Sequence, residues 1–185
     1  MHNLKTRASA KDLAEWAGGK RVTLATVITD IVGATALTGT LGEEAMTAVR
    51  RTHFARSRAL IARFRGREIK TMGDSFMVVF RSVDAALDYV MALSADTGHS
   101  DVRIRAGIHI GSVQVEGADV FGGTVNYAAR VIGAAQGAEI WLSDRAKTDI
   151  DGLGAARHRN IRWEAHEDAE LKGFNGKHRL WSVRS

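Results

Sequence analysis

Two acids and a helical Asn/Arg pair are the residues whose types and spacing offer chemistry. Asp30 follows Val22-Thr23-Leu24-Ala25-Thr26-Val27-Ile28-Thr29, a β-branched run apolar on both parities. Such a run predicts a strand buried on both faces that ends at the acid. Gly33 and Thr35 then open a turn. An aspartate there either caps the turn or ligates a metal, with the N–H groups of Gly33, Ala34 and Thr35 offered to a phosphate. Asp74 sits in Met72-Gly73-Asp74-Ser75, between the strand-like runs Glu68–Met72 and Phe76–Phe80, at the tip of a predicted hairpin. It serves turn geometry or, if the hairpin lies beside the Asp30 strand, brings a second carboxylate to the same end of the sheet. Two like charges that close are costly unless a divalent cation neutralises them. Oxygen donors suit Mg²⁺ or Mn²⁺, and two such ions ~4 Å apart form an arrangement for phosphoryl transfer. Asn126 and Arg130, four residues apart on a predicted helix, share one face. That face is either solvated or aims donors at developing charge.

The elements that must position these groups follow from periodicity. Ser9, with Asp12 three residues on, predicts a capped short helix through Trp16, stopped by Gly18-Gly19. Glu43 to Phe64 reads as a long helix with Met46, Val49, His53, Leu60 and Phe64 near one stripe, ended by Gly66. Ser82 caps a second helix burying Val83, Ala86, Leu87 and Val90. Val102–Ile110 alternates as a strand that resumes at Val113–Val115. Thr124–Gln136 is helical, opened by Gly122-Gly123, with Val125, Ala129 and Ile132 on its buried side. Glu139–Leu142 reads as a strand, Ser143–Ile150 as a short helix, and two β-like stretches flank Leu171-Lys172-Gly173. Strands and helices intermix around a hairpin, so the expected class is α+β, an antiparallel-rich sheet with helices packed on it.

Composition sets outer bounds. The 185 residues carry no cysteine, which removes disulfides, thiolate zinc, iron–sulfur centres and cysteine nucleophiles together. The formal charge of +5 fits a polyanionic partner such as a nucleotide or nucleic acid. No apolar run approaches the ~18–20 residues of a membrane span, and Met1-His2-Asn3-Leu4-Lys5 lacks the apolar core of a signal peptide, so a cytoplasmic address is expected. The seven histidines lack ligand spacing; His53 and His109 read as structural residues. Arg50-Arg51 and Arg56 to Arg58 read as a solvated helix face.

Four segments together resemble the class III nucleotidyl cyclase catalytic domain. They are Thr29-Asp30-Ile31-Val32-Gly33-Ala34-Thr35, Lys70-Thr71-Met72-Gly73-Asp74-Ser75-Phe76, Asp119 through Arg130, and Leu171-Lys172-Gly173. The resemblance runs from about Arg21 to the C-terminus, leaving residues 1–20 as a short N-terminal helical extension and 21–185 as the catalytic domain. It implies a ferredoxin-like βαββαβ core with a C-terminal extension, and a head-to-tail homodimer. It further implies two Mg²⁺ or Mn²⁺ ions per active site, on Asp30, Asp74 and the carbonyl of Ile31. Lys70 and Asp119 then resemble the base-selecting pair, Asn126 the ribose-orienting residue and Arg130 the transition-state donor. Lys172 resembles the phosphate contact, with Lys177 near enough to compete. In this family the metal side comes from one protomer and the base, ribose and arginine side from the other. No nucleic-acid or membrane partner is expected, and regulation falls to residues 1–20, to a separate partner or to dimerisation.

The base follows from donor and acceptor order. Lysine donates and an ionised aspartate accepts, a match for adenine's acceptor beside its amino group, whereas guanine reverses both. ATP is the first choice and GTP the last. Cytosine shows the same order as adenine, which leaves CTP open; some short relatives turn CTP or UTP into signals of anti-phage defence, so a pyrimidine nucleotide is the alternative. A diguanylate cyclase would need a different hairpin sequence. A nucleotide-binding regulatory module would bind ATP without releasing pyrophosphate, and an RNA-recognition domain would present paired aromatic strand positions.

Overall fold

The structure, a computed structural model, describes residues 10–152, 158 and 160–184. Its axis is β1 (Arg21–Ile31), buried without a break from Leu24 to Thr29, as the doubly apolar run requires. Asp30 lies inside this strand rather than just past it, because Ile31 is still paired with Ile104 on β4 (Ile104–Glu116). On the other side β1 pairs with β3 (Ser75–Phe80), which forms a hairpin with β2 (Arg67–Met72). The connections are α2 (Ala34–Leu41) and α3 (Glu43–Arg63) from β1 to β2, and α4 (Val83–Ala95) from β3 to β4.

The strand order β2-β3-β1-β4, antiparallel throughout, is the expected ferredoxin-like βαββαβ core. The chain then adds β5 (Asp119–Phe121), α5 (Gly123–Ala134), β6 (Ile140–Ser143), α6 (Asp144–Gly152), β7 (Arg162–Glu170) and β8 (Lys177–Arg184). Strand β6 extends the sheet parallel to β4, and β8 and β7 follow antiparallel. That block is the C-terminal extension.

The parity of β1 sorts the two layers. Ala25, Val27 and Ile31 face Met46, Val49 and Leu60 of α3 and Ala86, Leu87 and Val90 of α4. Leu24 and Ile28 face the other way, with Val113, Ala128 and Ile132, and with Leu13 of α1 (Ala10–Ala17). Asp30 shares this second parity. The predicted stripes of α3 and α4 are found buried except for Phe64, the half-buried C-cap of α3, whereas the buried face of α5 is Thr124, Ala128, Val131 and Ile132, shifted from the predicted Val125, Ala129 and Ile132. The shift has a local cause: Gly107 and Gly111 on β4 open a seat for Ile132 and Thr124.

Two elements are additional to the sequence reading. Helix α2 has no buried residue and contains Gly39, so it leaves no apolar stripe to detect, and β5 is only three residues long. At the end of α3, Gly66 acts differently from a flexible stop. Arg65 takes the left-handed conformation (φ 58), while a Cβ on Gly66 would meet the Phe80 ring at 2.5 Å. The Ser9 cap lies outside the described residues. Among the described residues no helix is long and apolar enough to cross a membrane.

Candidate active site

The sheet register brings the two acids to one edge. Asp30 is the penultimate residue of β1, and Ser75, first in β3 and next to Asp74, donates its hydroxyl to Asp30 Oδ1 at 2.8 Å. Both carboxylates are half-buried and each holds an arginine. Arg105, directly across β4 from Asp30, donates through Nε at 3.2 Å and Nη2 at 2.8 Å to Oδ2. Arg50 of α3 donates through Nε to Asp74 Oδ1. Arg50 is therefore no solvated-face residue, whereas Arg51 and Arg58 are exposed as expected, Arg58 gripping Glu68 through two surface hydrogen bonds, and half-exposed Arg56 lies 2.9 Å from exposed Asp96.

The donor chemistry of this cluster fits a hard divalent cation. Among the described residues no group of three or more His, Cys, Asp or Glu gathers, so the protein offers two carboxylates and the strand-end carbonyl of Ile31. An oxygen-only, under-filled set fits Mg²⁺ or Mn²⁺, which keep water and phosphate oxygens as their other ligands. The arginines supply the positive charge that two neighbouring carboxylates require. Gly33 (φ 65) turns the chain immediately after β1 into α2, so Gly33, Ala34 and Thr35 begin a helix beside the acids.

A second pair forms away from the acids. Lys70 on β2 reaches Asp119 on β5, Nζ to Oδ2 at 2.7 Å, with Asp119 Oδ1 accepting from the N–H of Val120 at 2.8 Å. Met72 (48% exposed) and Phe121 (46% exposed) flank it, the most exposed large apolar side chains among the described residues. Lys70 Nζ lies 5.9 Å from the Phe121 ring centre. Apolar walls with a donor and an acceptor between them suit a planar heterocycle.

Asn126 and Arg130 are exposed on α5, as predicted. The helix starts at Gly122 (φ 125), and Thr124 is pinned by its hydroxyl to the carbonyl of Ser112 at 2.7 Å. That first turn lies over Gly111, whose partner on β1 is Leu24. Leu24 is six residues from Asp30, about 20 Å at the rise of a strand. Within one chain the acids and the Asn126 turn are therefore apart. Lys172 is exposed in the β7–β8 turn, whereas Lys177 is 3.1 Å from Asp168.

The predicted structural histidines are satisfied. His53 is buried with Nδ1 2.9 Å from the carbonyl of Thr97, and burial lowers its pKa against the opposing effects of that bond and of Asp74. His109 Nδ1 lies 2.7 Å from Ser143 Oγ, and burial, with Arg145 nearby, pushes its pKa down to about 4. The residues missed from sequence are Arg105, Arg50 and Ser75. The antiparallel register could have exposed Arg105 and Ser75, with Arg105 75 positions from Asp30, whereas Arg50 depends on how α3 packs against the hairpin.

Known proteins share this fold. Residues 20–185 match a family model described as the adenylate and guanylate cyclase catalytic domain. The chain is 32% identical to a pH-sensitive adenylate cyclase of Mycobacterium tuberculosis, over 98% of this chain and 44% of that protein. It is 33% identical to an adenylate cyclase of Streptomyces coelicolor, over 58% of this chain and 29% of that one. The chain thus spans less than half the length of these relatives. Among solved structures, the adenylyl cyclase CyaB from P. aeruginosa superposes with a TM-score of 0.75 at 22% identity, covering 89% of this chain and 95% of that one. Adenylate cyclases from Trypanosoma brucei in their monomeric state give 0.75 at 21% identity, covering 87% and 89%. On the family match across nearly its whole length, this chain belongs to the adenylate and guanylate cyclase catalytic domain family.

Proposed function

We propose that residues 21–185 are a nucleotide cyclase domain, with 1–20 an extension, that converts ATP to 3′,5′-cyclic AMP and pyrophosphate at sites shared between two copies of the chain. The observation that carries this reading is the separation within one chain of the acid pair from the Asn126 turn, each otherwise intact. A head-to-tail pair of copies would complete two equivalent sites.

Asp30, Asp74 and the Ile31 carbonyl would hold divalent ions, which supply Lewis-acid activation of the ribose hydroxyl and neutralise phosphate charge. The chain's own groups do the rest. The N–H groups of Gly33, Ala34 and Thr35 bind phosphate oxygens beside the acids. Lys172, the freer of the two turn lysines, takes the β/γ-phosphates. Asn126 orients the ribose so that its 3′ oxygen, once its proton has passed to solvent water, bonds the α-phosphorus in line. The bond from that phosphorus to the pyrophosphate oxygen breaks. Arg130 donates to the charge gathering on the α-phosphoryl oxygens, a contribution of about 3–4 kcal/mol to the barrier. Lys70 donates to adenine N1 and Asp119 accepts from its amino group, a pattern a guanine cannot meet. The names of the relatives as adenylate cyclases support the same base.

The test is complementation. Asp30→Ala and Arg130→Ala chains should each be inactive, yet an equal mixture should regain about a quarter of wild-type activity, because half the dimers are mixed and each holds one intact site. No recovery after subunit exchange refutes the shared site. Assaying the wild type on ATP, GTP, CTP and UTP with Mn²⁺ tests the base, and a preference for CTP or UTP overturns the adenine reading.

A further inference from the structure

One side chain on α5, between Asn126 and Arg130, makes contacts that converge on the β7–β8 turn. The Tyr127 ring lies 4.3 Å from the His109 ring of β4 at 31°, so it is held from the sheet side. It meets Phe174 edge-on, 4.9 Å between centres at 73°, and His178 at 5.5 Å and 77°. Its hydroxyl is 3.1 Å from His178 Nδ1. Phe174 is two residues past Lys172 in the turn, and His178 is the second residue of β8. The turn itself is closed by the Phe174 N–H donating to the carbonyl of buried Leu171 at 2.9 Å, with Gly173 left-handed (φ 88). Val131 of α5, Trp141, Leu171 and Leu180 form the apolar floor beneath.

We infer that Tyr127 and Phe174 are positioning residues that lock the Lys172 turn to α5, so that Lys172 and Arg130 meet the triphosphate as one rigid body. The inference rests on the phosphate role proposed above for Lys172. An edge-to-face pair constrains both distance and angle, which simple apolar filling does not. Tyr127 is one residue from Asn126 and three from Arg130, so the rotation of α5 that seats its ring also sets where both polar side chains point. The turn has only short reach of its own: Lys172 is fixed in space by whatever fixes Phe174.

Pyrophosphate inhibition of the wild-type enzyme reads the phosphate end without depending on the base or the ribose. Lys172→Ala should weaken it. Phe174→Ala should weaken it about two- to tenfold, the worth of one edge-on ring pair. The double variant should be no weaker than Lys172→Ala alone, because Phe174 acts through Lys172. Phe174→Tyr, which keeps the ring, should restore inhibition. If Phe174→Ala fails to fold, Phe174→Leu keeps the floor filled and is read in the same cycle. Multiplicative losses in the double variant overturn the lock, and so does wild-type inhibition in Phe174→Leu. If Lys172→Ala leaves inhibition unchanged, the assignment of Lys172 to the phosphates has failed, and the lock falls with it.

Discussion

A methyl group added to Gly107 tests whether the seat of α5 governs catalysis. An ideal Cβ at Gly107 would stand 2.4 Å from the Ile132 nitrogen and 2.8 Å from its Cα and Cβ. These are mostly backbone atoms, and no rotamer change clears them. Ordinary contact begins at 3.4 Å, so α5 must lift by about 1 Å over β4. Overpacking of this kind costs about 2 kcal/mol, a fall in Tm of about 6 °C for a chain of this size. Arg130 is two residues from the contact and travels with the helix. A displacement of about 1 Å at a charge-stabilising group lowers turnover by about a hundredfold. Gly107→Ala should therefore remain folded at 25 °C, with kcat depressed far more than stability. Gly133→Ala is the control: it is on the same helix, its Cβ meets nothing within 4 Å, and a better helix former adds up to about 1 kcal/mol. Thermal melts and cyclic-nucleotide production on both variants decide the matter. Wild-type turnover in Gly107→Ala, together with the expected loss of Tm, would refute the link between the α5 seat and the chemistry.

Other consequences are open to single measurements. Arg50 holds Oδ1 of Asp74 and so competes with the proposed cation for that carboxylate, and a part-exposed ion pair is worth about 1 kcal/mol. Arg50→Ala should lower the half-saturating Mn²⁺ concentration about fivefold, and an unchanged or raised value shows that no competition exists. The imidazole of His109 has its pKa pushed down to about 4 by burial, against 6.5 when unfolded, so the unfolded chain takes the proton first as pH falls. Stability should decline from about pH 6.5 toward pH 4, and His109→Gln should lose that part of the slope in urea titrations. Ser57 Oγ and Tyr89 OH are 2.8 Å apart in the core, and burial raises the Tyr89 pKa to about 12. Ser57→Ala should cost about 1 kcal/mol by removing one of the two hydroxyls, Ser57 and Thr29, that face the Tyr89 OH, at unchanged turnover, and a wild-type urea midpoint would contradict it.

What sequence could and could not reveal divides along a physical line. Strand β1, the hairpin, α3 and α4 were legible because each carries its own periodicity or cap, as with Ser82 accepting from the Ala85 N–H at 3.2 Å. The placement of Asp30 beside Asp74 was legible only on the condition that β1 and β3 pair, which they do. The arginines on those acids were not, since they depend on register across β1 and β4 and on the angle at which α3 crosses the hairpin. The buried side of α5 was misread because its apolar residues surround most of the helix, and the deciding factor is the glycine pair on another strand.

The contact between Lys70 and Asp119 has a consequence for discrimination. These two groups already neutralise each other at 2.7 Å, and each keeps bonding capacity in reserve, so a nucleobase in the proposed site meets a donor and an acceptor whose spacing is set by their own contact. A ring that answers both loses little. One that answers only one of them leaves the other unserved beside two exposed apolar side chains. On the proposed role of the pair, selectivity would then begin with the spacing already set in the resting arrangement.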